Sequence, residues 1–77
     1  MACRVGMTTD PGERKAYWEA RHPTLRNWRI VKSRLTYDEA LELEKTTAER
    51  GGCEYSPGGQ RKRGRVWSVY RFTYGRR

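Results

Sequence analysis

The stretch Leu35-Thr36-Tyr37-Asp38-Glu39-Ala40-Leu41-Glu42-Leu43-Glu44-Lys45-Thr46-Thr47-Ala48-Glu49-Arg50-Gly51-Gly52 contains both ends of a helix and its apolar face. Thr36 precedes Glu39 by three residues, the spacing at which a hydroxyl and a carboxylate each accept the other residue's backbone N–H at a helix start. Ala40, Leu41, Leu43 and Ala48 form an apolar stripe, and Gly51-Gly52 permit the left-handed stop. One apolar stripe on an otherwise charged helix predicts packing against a sheet, so the flanking segments are read for strands.

Upstream, Asn27-Trp28-Arg29-Ile30-Val31-Lys32 alternates as a strand, Trp28 and Ile30 to one side, Arg29 and Val31 to the other. Before it, Thr9-Asp10-Pro11-Gly12-Glu13 opens a first helix with Asp10 as N-cap, Pro11 at the first helical position and Glu13 closing a capping box. That helix runs to about Ala20 or Arg21 and stops before His22-Pro23. Ala2 to Met7 reads as a short strand ending at Gly6, where the chain turns or another backbone approaches closely. Downstream, Cys53-Glu54-Tyr55 adds a short extended piece, residues 56–65 are a basic, glycine-rich loop, and Val66 to Tyr74 is a strand rich in aromatic and β-branched residues. The expected fold is α+β: one domain over 1–77, with a small antiparallel sheet of three to four strands packed with two helices in the order β-α-β-α-β.

Seventy-seven residues support one thin core. Only 35% of the chain is hydrophobic, yet three Trp, five Tyr and one Phe bury much area per residue, so folding is expected with modest stability, aided by a partner or a homodimer. The formal charge is +8, unevenly placed: residues 1–54 are near neutral at +1, and residues 55–77 hold Arg61, Lys62, Arg63, Arg65, Arg71, Arg76 and Arg77 with no acid. Such a basic segment attracts polyanions. No apolar run is long enough to cross a bilayer and the N-terminus has no signal-peptide pattern, so a cytoplasmic protein is expected, with no membrane partner. Cys3 and Cys53 match neither a disulfide framework nor a zinc pattern, and are expected as reduced, half-buried side chains.

Two residues stand out for chemistry. Glu44 lies four residues after Ala40 and four before Ala48, which sets a carboxylate beside the sheet-facing stripe. It serves either as a structural ion-pair partner or as a ligand for Mg²⁺ or a phosphate-activating group. Arg14, one turn into the first helix, is either an exposed arginine stacked on Trp18 or a fork for a phosphate oxygen.

The run Arg4-Val5-Gly6-Met7-Thr8-Thr9-Asp10-Pro11-Gly12-Glu13-Arg14 resembles the second half of the GIY-YIG nuclease motif, whose glycine precedes the catalytic arginine by eight residues, as Gly6 precedes Arg14. Ala40-Leu41-Glu42-Leu43-Glu44 is similar to that family's A-L-x-L-E helix, whose glutamate binds a divalent metal. The resemblance spans about residues 3–50 and implies Arg14 and Glu44 as catalytic residues, with Glu44 on Mg²⁺. It is incomplete. The first GIY strand has no counterpart, Arg4 stands where the family has a tyrosine, Trp18 stands where it has a histidine or tyrosine, and its asparagine has no match near Cys53-Glu54-Tyr55. Tyr70 or Tyr74 on the last strand would replace the missing tyrosine if that strand occupied the empty sheet position.

The basic loop and the aromatic strand after it combine cations with stacking faces, the arrangement that binds nucleic acid. Arg4, Arg14, Trp18, Arg61, Lys62, Arg63, Arg65, Trp67 and Arg71 are the expected ligand contacts. Four or five phosphate contacts would give log K a slope of roughly -3 to -4.5 against log salt. The expected function is binding of DNA, RNA or another phosphate ligand on a degenerate GIY-YIG-like scaffold without full nuclease activity. Two other readings are a virus-encoded counter-defence protein that sequesters a small nucleotide signal, and an active Mg²⁺-dependent endonuclease.

Overall fold

A computed structural model of the chain describes residues 2–55 and 66–75. The elements are β1 (Ala2–Thr8), α1 (Pro11–Arg21), β2 (Arg26–Leu35), α2 (Tyr37–Gly51), β3 (Glu54–Tyr55) and β4 (Trp67–Tyr74). They form an α+β fold with one sheet in the order β2-β4-β1-β3. The sheet is mixed rather than wholly antiparallel. β4 runs antiparallel to β1 and to β2, whereas β3 joins the other edge of β1 in parallel, because the α2 crossover returns the chain in the direction of β1.

The helix ends follow local chemistry. Thr36 Oγ1 accepts from the Glu39 N–H at 3.2 Å, Glu39 Oε1 accepts from the Thr36 N–H at 2.9 Å, and Gly52 ends α2 at φ 64°. At α1, Asp10 Oδ1 accepts from the Glu13 N–H at 3.1 Å, but the expected reciprocal bond from Glu13 is replaced: the Asp10 N–H donates to Thr8 Oγ1 at 3.0 Å. β1 also continues past Gly6, which lies inside the strand. β2 is longer than its alternating segment and irregular, shifting register three times against β4, with Asn27 (φ 56°) and Arg34 (φ 59°) in the left-handed region.

Alternation along β4 divides the core between the two faces of the sheet. Trp67 and Val69 join Val5, Met7, Leu35, Ala40 and Ala48 under α2. Tyr70, Phe72 and Tyr74 pack on the other face with Ala2, Trp18, Leu25 and Trp28. There Trp28 stacks on Tyr70 at 4.7 Å and His22 on Tyr74 at 4.2 Å. No residue of α1 is fully buried, so this helix is held chiefly through Trp18.

The cysteines overturn the expectation of free thiols: Cys3 and Cys53 form a disulfide with their Cα atoms 4.8 Å apart. Arg4 is in register with Glu54 across the parallel β1–β3 pair, so the residue before each lies at bridging distance. Among the described residues no helix is long and apolar enough to cross a membrane.

Candidate functional site

β1 and β4 pair Gly6 with Tyr70, and the absence of a side chain at Gly6 is what lets the phenol lie across β1. A Cβ at Gly6 would fall inside the van der Waals envelope of Tyr70 Oη and Cζ. The Trp18 indole of α1 donates its Nε1–H to Tyr70 Oη at 2.8 Å. Tyr70 is 3% exposed, so this bond and the Gly6 contact fix the phenol inside the fold, beneath the α1 side of the sheet.

Two guanidiniums bear on this phenol. Arg4 is two residues before Gly6, on the same face of β1, and stacks on the Trp18 ring at 4.7 Å while pairing with Glu54 at 3.4 Å. Arg14 packs over Tyr17 at 4.9 Å, not over Trp18 as expected from helical spacing. Burial pushes the Tyr70 hydroxyl above its ordinary pKa; the Trp18 hydrogen bond, Arg14 and Arg4 act against that rise, and Glu44 adds to it. Tyr70 is therefore a neutral phenol at neutral pH, within electrostatic reach of two guanidiniums.

Glu44 is 1% exposed, within the α2 stripe rather than beside it. Its Oε1 has no hydrogen-bond partner among the described residues, and burial raises the carboxyl to a pKa of about 7, against the opposing influence of Arg4. The metal role implied by the resemblance does not fit this setting. Mg²⁺ retains several waters and needs an ionised, accessible oxygen, whereas Glu44 is enclosed and close to half-protonated at neutral pH. No group of three His, Cys, Asp or Glu side chains that could hold a metal occurs among the described residues.

The remaining expected contacts lie apart from this cluster. Trp67 is 4% exposed and packs edge-on to Tyr37 under α2, so it offers bases no stacking face. Tyr74 is buried against His22. Arg71 is half-buried on the α2 face, its guanidinium beside Gly51. Arg61, Lys62, Arg63 and Arg65 lie outside the described residues. Sequence reasoning singled out Arg14 and Glu44 by spacing but did not place Tyr70 on Gly6; a glycine inside a strand was the one local sign of a close approach.

Compared with models of known families, with curated proteins and with solved structures, the chain matches none.

Proposed function

We propose that the chain binds a phosphate-bearing ligand, a nucleic acid or a nucleotide, on a GIY-YIG-like scaffold without full nuclease activity. The observation that carries this reading is the pair of arginines, Arg4 and Arg14, acting on a Tyr70 phenol held over Gly6 by Trp18. Guanidinium forks match the oxygens of a phosphate group, and the buried Tyr70–Trp18 pair positions α1, which carries Arg14, against β1, which carries Arg4. The antiparallel pairing of β4 with β1 supports the likeness to the extent that a replacement of the missing tyrosine by Tyr70 requires β4 to lie beside β1. Cleavage is not part of the proposal, because the enclosed Glu44 carboxyl is unsuited to a hydrated metal.

Fluorescence anisotropy with single- and double-stranded oligonucleotides across a salt series tests the reading. Each arginine that reaches a phosphate contributes about -0.7 to -0.9 to the slope of log K against log salt, so Arg14→Ala should flatten the slope by just under one and weaken binding by about tenfold or more. Calorimetry with mononucleotides and dinucleotides separates the two ligand classes: tight binding of a small nucleotide with weak oligonucleotide binding assigns the site to nucleotide sequestration. Binding that is indifferent both to salt and to Arg14→Ala would sink the proposal.

A further inference from the structure

We propose a second phosphate-binding site on the α2 face of the sheet, between β2 and β4, with Arg29 and Arg71 as its paired cations. It uses none of Arg4, Arg14, Trp18 or Tyr70, so it stands independently of the reading above. Arg29 and Arg71 are directly in register on neighbouring antiparallel strands. Like charges in that relation repel, and sheets ordinarily oppose them with a carboxylate. Here neither arginine makes an ion pair or a side-chain hydrogen bond among the described residues. An anion between them removes the repulsion.

The surroundings have the form of a receptor. Asn27, Trp28, Arg29, Arg71 and Thr73 line a cavity of about 420 Å³. Asn27 is held at φ 56° beside a register shift, a conformation rarely adopted by residues other than glycine and one that recurs at binding sites. The Asn27 Nδ2 donates to Thr73 Oγ1 at 2.9 Å, and Thr73 Oγ1 donates to the Arg26 carbonyl at 3.2 Å, which fixes the polar wall. Arg71 is half-buried, its guanidinium lodged where Gly51 lacks a side chain. That contact rests the Arg71 side chain on the end of α2, while Arg29 is exposed at the cavity. Two planar forks and the second Nδ2 hydrogen of Asn27, the first being held by Thr73, suit the tetrahedral oxygens of a phosphate group.

The intact ¹⁵N-labelled protein is titrated first with inorganic phosphate and then with a short single-stranded oligonucleotide, reading the Nε–Hε signals of Arg29 and Arg71 and the Asn27 side-chain amide. Saturable shifts at these groups are expected, and Arg29→Gln should weaken them by about tenfold or more while the Trp18 indole signal remains as in the parent. Saturation by phosphate alone identifies a free-anion site; saturation only by the oligonucleotide identifies a nucleic-acid backbone. Either supports the proposal. If neither probe moves these signals, or if the Arg29→Gln variant responds like the parent, the site does not exist.

Discussion

Glu44 makes stability depend on pH in a direction opposite to most carboxylates. Its folded pKa of about 7 lies above its ordinary value of 4.5, so between those values the folded chain holds a proton that the unfolded chain has released. Stability is therefore highest below about pH 4.5 as far as this group is concerned, falls as pH rises toward 7, and then levels off, a loss on the order of 3 kcal/mol. Glu44→Gln keeps the shape without the ionisation. Urea unfolding at pH 5 and pH 8 should show a much smaller decline for the variant, and matching profiles for the two proteins would mean that Glu44 is solvated. Gly6 is the other decisive residue. Gly6→Ala forces Tyr70 off β1, which should destabilise the chain by about 1–3 kcal/mol in urea unfolding and weaken ligand binding along with it. Both Arg14 and Glu44 were legible from spacing within single helices. Tyr70 was legible only as an alternative to Tyr74 through the resemblance, and its contact with Gly6 was not legible, because Gly6 is remote in sequence and meets it only through strand pairing.

The two helices differ in how they are secured. α2 has a closed capping box, a left-handed glycine stop and a buried stripe of Ala40, Glu44 and Ala48. Thr36→Ala opens the box and should cost about 1 kcal/mol, measured as a lower urea midpoint. α1 has a good N-terminus but buries no residue completely, and its position depends on one side chain, Trp18, against Phe72 at 5.5 Å and Tyr70 Oη. Trp18→Ala should cost about 2–3 kcal/mol, the low end for a large-to-small change because the indole is half-buried, and should reduce helical circular dichroism. The same change releases Arg4 and Arg14 from their fixed relation to Tyr70, so binding should fall further than in Arg14→Ala alone. Helix ends were readable because caps are formed by residues three or four apart. The bulges of β2 were not, since they depend on what β4 presents across the ladder.

Across the whole molecule, the Cys3–Cys53 disulfide closes a long loop at the β1–β3 edge, next to the Arg4–Glu54 pair, with 50 residues of sequence separation. Chain-entropy reasoning gives such a crosslink about 4 kcal/mol, a large share of the stability of a chain with so thin a core. Chemical denaturation with and without reductant should differ by an amount of that order, and Cys53→Ser should reproduce the reduced protein. An equal midpoint in both conditions would show that the crosslink does not form in solution.

The sequence by itself determined what depends on near neighbours: two capped helices with their stops, the aromatic strand, the basic C-terminal third, and the placing of Arg14 and Glu44 on helical faces. Tertiary structure decided the rest. It set β4 between β1 and β2, sorted the aromatics onto opposite faces so that Trp67 became core while Tyr70 met Trp18 and Gly6, enclosed Glu44, and joined Cys3 to Cys53. The physical reason is range. Caps and stripes are satisfied within one or two helical turns, whereas strand order and register are fixed by side chains tens of residues apart that compete to bury the same sheet.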